Sequence, residues 1–134
     1  MSRSDTPSAG KSGAPGFVPG GHQIDSYGNG GFRFAGMSHQ GSVIAMPTGI
    51  QSWLPSKAEQ INVASLTPVI VEISKLDMLI VGTGEKALPP NSPFAQAIRN
   101  QGLAVEVMDT PAAARTYNVL FAEGRRVAAA LLAI

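Results

Sequence analysis

The chain has 134 residues, 44% of them hydrophobic and 14% charged, with a formal net charge of +1 and no cysteine. That length suits one hydrophobic core, the balanced charge gives no broad basic field for nucleic acid, and the absence of thiols excludes disulfides, cysteine nucleophiles and cysteine-ligated metal. His22 and His39 make a poor metal site by themselves, so no cofactor is expected, and no apolar run reaches the roughly 20 residues of a membrane-spanning helix.

Met1 to Gly21 is mostly Ser, Gly, Pro and Ala, with Phe17 and Val18 as its sizeable apolar residues. Such a segment buries too little to offset its ordering entropy. Residues 1–21 are therefore expected to form a disordered tail, and residues 22–134 a single α/β domain. Gly10-Lys11-Ser12 echoes a phosphate-binding loop, but Asp5 stands where that motif needs a glycine. Short strands are then expected at Ile24 to Tyr27 and Phe32 to Ala35, either side of Gly28-Asn29-Gly30-Gly31, a hairpin signal. Ser42 to Met46 and Ile50 to Trp53 follow around Pro47-Thr48-Gly49, a second turn signal. The first half thus reads as antiparallel β.

The second half changes period. Leu66, Val69, Ile70, Ile73 and Leu76 recur at helical spacing after Thr67-Pro68, and Met78 to Val81 reads as a buried strand. Ser92-Pro93 opens a helix through Asn100, and Leu103 to Met108 is the next strand. Asp109 or Thr110 then caps a helix in which Pro111 suits the first position and Gly124 the residue just past the end. Val127 to Ile134 is a last strand. Helix and strand in alternation imply parallel strands joined by crossovers.

Two polar clusters carry chemistry. Leu79-Ile80-Val81-Gly82-Thr83-Gly84-Glu85-Lys86 places a Gly-Thr-Gly turn at the carboxyl end of an expected parallel strand, the edge where open α/β sheets collect ligands. Amides freed by glycine, with Lys86 beside them, suit an anion. A dinucleotide fingerprint is absent, because Ala87 replaces the third glycine and Leu88-Pro89-Pro90-Asn91 delays the helix. On the later helix Arg115 offers a planar fork for carboxylate or phosphate, or a salt bridge to Glu85, Glu106 or Glu123. Asn118 shares its face, and Tyr117 is either a proton donor or a core residue with a bonded hydroxyl. The candidate ligand-binding set is therefore Gly82, Thr83, Gly84, Glu85, Lys86, Arg115, Thr116, Tyr117 and Asn118. No Ser-His-Asp set or carboxylate pair can be assembled, so no catalytic residue is assigned. Trp53 stands alone and provides no stacking platform for nucleic acid.

Three motifs in order, Ile24-Asp25-Ser26-Tyr27-Gly28-Asn29-Gly30-Gly31-Phe32-Arg33-Phe34, Leu79-Ile80-Val81-Gly82-Thr83-Gly84, and Arg115-Thr116-Tyr117-Asn118-Val119-Leu120 with Glu123-Gly124-Arg125, resemble one family. It is the uncharacterised-domain family that includes the mitochondrial NADH dehydrogenase (complex I) assembly factor 3 and the adipogenesis-associated domain protein. The resemblance runs from about Gln23 to Ile134. It implies a three-layer α/β fold, with a central mixed sheet flanked by crossover helices and a separate antiparallel β element in the N-terminal half. It carries over no catalytic residue; the mitochondrial member helps to assemble complex I. The Gly-Pro-Ser tail is not the Arg-rich amphipathic segment of a mitochondrial transit peptide, so a bacterial, cytoplasmic member is expected.

The function expected on these grounds is that of a non-enzymatic interaction protein similar to an assembly factor. Its partner would be a protein, with a respiratory membrane complex as the implied target, and not nucleic acid. The alternative is a binder of a small anionic ligand, or an enzyme, with its site between the Gly82-Thr83-Gly84 loop and the Arg115 helix. An enclosed pocket holding both clusters favours the ligand reading, whereas a junction filled by the protein's own atoms favours a partner surface.

Overall fold

The computed structural model describes residues 17–134. Most of the expected tail, including Gly10-Lys11-Ser12, lies outside the described residues. The remainder corrects the tail boundary: β1 (Val18–Pro19) is a short strand antiparallel to β6 (Gly49–Trp53), with Val18 opposite Ile50. Phe17 lies where a side chain on Gly49 would stand, 2.5 Å from the position of a Cβ, so the two apolar residues of the segment dock on the domain.

Two hairpins build a small sheet from β2 (Ser26–Gly28), β3 (Gly31–Phe34) and β4 (Met37–Gln40), in the order β2-β3-β4. Asn29 and Gly30 form the expected two-residue turn, both with positive φ (54° and 77°), the geometry that matches strand twist. The second turn uses Ala35 (φ 52°) and Gly36. An alanine in the left-handed region gives little warning in a sequence, and β4 went unanticipated. Phe32 and Phe34 alternate with exposed Arg33, so one face of the sheet is apolar and the other polar.

The main sheet has the order β1-β6-β5-β9-β7-β8, with β5 (Ser42–Met46), β7 (Met78–Gly82), β8 (Ala104–Met108) and β9 (Val127–Leu131). β9 is the seam: it pairs antiparallel with β5 and parallel with β7, while β7 also pairs parallel with β8. Its sequence Val-Ala-Ala-Ala-Leu is buried throughout, and the small side chains let layers approach both faces. The strand ends at Leu131 rather than running to Ile134.

One face is covered by α1 (Thr67–Val71), α2 (Pro93–Arg99) and adjoining 3-10 turns, which pack Leu66, Val69, Phe94 and Ile98 against Leu79, Val81 and Val105. Trp53 belongs to this layer and donates its indole N–H to the Ser65 carbonyl at 2.8 Å. The helix expected over Leu66 to Leu76 is only α1, continued by a 3-10 turn at Ile73–Lys75. Its run of Val69, Ile70 and Val71 is β-branched, which crowds the preceding turn of an α-helix. The opposite face is covered by α3 (Thr110–Ala122) and the small sheet, whose Phe32 and Phe34 join Ala113, Ala114 and Tyr117 over Val43, Ile80 and Ala129. The result is the expected three-layer α/β arrangement with a mixed central sheet and a separate antiparallel element.

Candidate functional site

The expected site begins where β7 ends. Gly82 is closely surrounded: a Cβ there would lie 3.0 Å from each of Ala113 Cβ, Leu131 Cδ2 and Thr110 Cα, so a side chain would need its neighbours to give way by a few tenths of an ångström. Its carbonyl accepts from Leu132 N–H at 2.9 Å. Thr83 is buried and turns its hydroxyl onto the carbonyls of Lys86 (2.6 Å) and Met108 (3.2 Å), which closes the loop upon itself. Gly84 is bound from both sides by Thr110: its N–H donates to Thr110 Oγ1 at 2.9 Å, and its carbonyl accepts from Thr110 N–H at 2.8 Å. The N–H groups of Thr83, which donates to the Met108 carbonyl, and Gly84 are therefore engaged inside the fold. Glu85 and Lys86 are exposed.

The N-terminus of α3 resolves the choice of cap. Asp109 Oδ1 accepts from Ala112 N–H at 2.8 Å, as an N-cap should. Thr110 is freed for another role. Its hydroxyl accepts from Gly84 and donates to the Leu132 carbonyl at 2.8 Å, and the residue is fully buried. Thr110 is thus the residue that ties α3, the β7 loop and the end of β9 together. Only its membership of a capping sequence was legible beforehand.

Helix geometry then separates the two clusters. Arg115 lies five residues beyond Thr110, about 7.5 Å along the axis and turned about 140° from it. It is exposed, and among the described residues it forms neither a hydrogen bond nor an ion pair, so the bridges to Glu85, Glu106 or Glu123 are not made. Thr116, half-buried, rests its hydroxyl against Met108 Sδ at 3.5 Å. Tyr117 returns to the Thr110 face, fully buried, and donates its hydroxyl to the His22 carbonyl at 2.8 Å. Burial raises its pKa to about 12, which suits a core phenol and not an acid–base group near neutrality. Asn118 brackets one residue of the strand entering the small sheet: Oδ1 accepts from Ile24 N–H and Nδ2 donates to Ile24 O, each at 2.8 Å. Asn118 therefore ties α3 to the segment before β2 and not to the Gly82 loop.

Helix α3 does pack beside the Gly82 loop, as expected, but Thr110 and Ala113 fill the junction. Arg115 is exposed. Among the described residues no group of three or more metal-ligating side chains occurs. The sequence reading missed the outer face of the small sheet, where a groove of about 310 Å³ is lined by Arg33, Ser26, Ser38 and Gln40 with Gly28 and Gly31. The signal for it was the strand alternation that put Arg33 opposite the two phenylalanines; the partner strand β4 was the missing half.

Relatives share this architecture. The chain is 35% identical over 109 residues to mouse NADH dehydrogenase [ubiquinone] 1 alpha subcomplex assembly factor 3, covering 81% of this chain and 59% of that protein. It thus spans about three-fifths of the length of this assembly factor. An uncharacterized protein of Rhodobacter capsulatus is 35% identical over 118 residues, 88% of this chain and 89% of its own. Among solved structures, an outer membrane protein from Bartonella henselae superposes with a TM-score of 0.80 at 40% identity, over 86% of this chain and 97% of that one. Residues 24–132 match the model of the family described as protein of unknown function (DUF498/DUF598), which covers most of the chain and all three motifs of the β2–β3 hairpin, the β7 loop and α3. The chain therefore belongs to that family, which joins it by homology to the complex I assembly factors.

Proposed function

We propose that this protein is a non-enzymatic interaction factor that binds protein partners, and that its target, like that of its assembly-factor relatives, is a respiratory NADH dehydrogenase. The observation that carries this reading is the filled β7–α3 junction, where Gly82, Thr83 and Gly84 bond within the fold, while Tyr117 and Asn118 bond to His22 and Ile24 before β2. A site for a small anion needs convergent unengaged donors around a space, whereas the Thr83 and Gly84 N–H groups and the Tyr117 hydroxyl already donate within the fold, which supports the interaction reading. Homology to assembly factors supports the same conclusion. Among the described residues no helix is long and apolar enough to cross a membrane, so the contact with a membrane complex is proposed to go through its protein surface.

The test is chemical cross-linking of the full chain in its native cell, followed by mass spectrometry of the adducts. Subunits of the NADH dehydrogenase are expected among the specific adducts, together with slower accumulation of the assembled enzyme when the gene is deleted. Normal assembly with no specific protein adduct would overturn the proposal.

A further inference from the structure

Helix α3 is apolar on both sides. Its inner side buries Ala113, Ala114 and Tyr117. On the opposite side the pitch of the helix brings Ala112, Arg115, Val119 and Ala122 into an arc of about 80°. Val119 is 58% exposed and Ala122 is exposed, while Arg115 is the only charged residue of the helix. A helix with one side in water ordinarily carries polar and charged residues there, and one that is apolar all round is covered.

Two charges flank this outer face, and neither has a partner on its own helix. The positions within reach of Arg115, three and four residues away, are Pro111, Ala112, Asn118 and Val119. Those behind Glu123 are Val119 and Leu120, and the nearby Arg126 is committed to Asp77 at 2.8 Å. Among the described residues neither Arg115 nor Glu123 forms an ion pair. They stand eight residues apart, about 12 Å along the axis, which is too far for them to meet. Glu123 is also the C-cap residue, an anion at the negative end of its own helix dipole, where it is unfavourable.

A cover for this face must present an anion over Arg115 and a cation over Glu123, with an apolar centre between them. A second copy of α3 running antiparallel meets that requirement. Val119 lies four residues from each charge, so a two-fold axis beside it sets Arg115 of each copy over Glu123 of the other and the two valines against one another. Arg115, Val119 and Glu123 form an i, i+4, i+8 ridge, and ridges of this kind interdigitate at about −50°, the crossing that lays the two lines of residues along each other. We infer that the outer face of α3 is a self-association surface, through which two copies of the chain pair by Val119 against Val119 and reciprocal Arg115–Glu123 ion pairs. A helix of 13 residues offers a footprint of about 20 Å by 10 Å, well under the roughly 800 Å² per partner of a stable complex, so the pairing is weak and reversible. At the low concentrations of an unfolding experiment the chain is then a monomer. The inference does not depend on the respiratory target proposed above.

The test uses the full chain. Because it contains no cysteine, Val119→Cys introduces a single thiol beside the two-fold axis, where helices in contact bring two such thiols within disulfide reach. Mild oxidation with diamide is expected to join two copies. Leu54→Cys is the control, since Leu54 is 96% exposed and lies outside α3; it should cross-link about tenfold more slowly. Equal rates would mean random collision and overturn the inference. Sedimentation equilibrium at up to about 1 mM is expected to show a monomer–dimer equilibrium for the unmodified chain. Arg115→Glu and Glu123→Arg should each weaken it about tenfold or more, because each sets like charges opposite one another. The double variant reverses both charges and should recover the original constant within about threefold. A monomer throughout, single variants that dimerise as well as the unmodified chain, or a double variant no better than the single ones would each overturn the inference.

Discussion

At the β7–α3 junction Gly82 is closely surrounded by Ala113, Leu131 and Thr110; on the small sheet the space above Gly28 is empty. Both glycines sit near an arginine in the sequence-level picture, Arg115 in one case and Arg33 in the other. The two regions diverge because α3 lies flat on the main sheet, where any gap is filled by close packing. The small sheet packs one face only, through Phe32 and Phe34, and turns the other to solvent. A glycine-rich turn followed by polar residues is therefore equally consistent with tight packing and with an open groove. What distinguishes them is whether a second layer covers the face.

That contrast can be broken most strongly at Tyr117, the largest fully buried side chain of the junction. Tyr117→Ala is expected to cost about 3–5 kcal/mol by cavity formation, read as a lowered urea midpoint. Tyr117→Phe isolates the hydroxyl. Since the folded state holds the phenol at about 12 against 10.0 for a free one, this group's stabilisation is complete below pH 10 and is lost as pH rises through about 12. The Phe variant should lose less stability across that alkaline window. Equal alkaline sensitivity of both proteins would show that another group governs it.

A smaller effect is expected from Asn118→Ala, which leaves the N–H and carbonyl of Ile24 without their side-chain partner. Loss of such bonds costs about 1–3 kcal/mol where the groups remain shielded from water. Hydrogen exchange should accelerate at Ile24 and at the edge of the small sheet. Unchanged exchange there would mean that the α3 contact does not hold the sheet in place.

His39 probes the inner face of the small sheet by pH. Its Nε2 is buried without a partner, its ring lies 6.2 Å from that of Phe34, and burial lowers its pKa from 6.5, against a smaller opposing pull from the Ser42 backbone. The unfolded chain therefore binds the proton more readily, so stability is full above pH 6.5 and falls as acid is added toward the folded pKa. His39→Gln should flatten the acid limb of the stability curve. If both proteins lose stability equally between pH 7 and pH 4, His39 is not the group responsible.

The smallest effect is expected from Arg115→Ala. An exposed arginine without a hydrogen bond or ion pair among the described residues should change stability by no more than about 0.5 kcal/mol, as ordinary surface substitutions do. This departs from a structural salt bridge, the arrangement its isolation among few charges first suggests. A loss of several kcal/mol would restore that role.

Much of the fold was legible because its signals are local. Asn29-Gly30 marked a hairpin, Ser92-Pro93 and Asp109 with Pro111 marked helix starts, and Gly124, with φ 80°, marked the end of α3. The three motifs placed the chain in its family. Less local features escaped: β4 follows an alanine in an unusual conformation, and the central alanines of β9 suit a helix equally well until neighbours bury both their faces.

The candidate site was legible only as a set of residue types. Sequence determined that Gly82, Thr83 and Gly84 end a strand, and that Arg115, Tyr117 and Asn118 share a helix. Tertiary structure decided that Thr110 engages both the N–H and the carbonyl of Gly84, that Tyr117 and Asn118 bind the carbonyl of His22 and the backbone of Ile24, and that Arg115 is exposed. It also set Arg33 between Ser26 and Ser38 on an open face. The physical reason is that turns and caps are fixed by residues a few positions apart, whereas hydrogen-bond satisfaction and empty space depend on which distant segments are brought into contact.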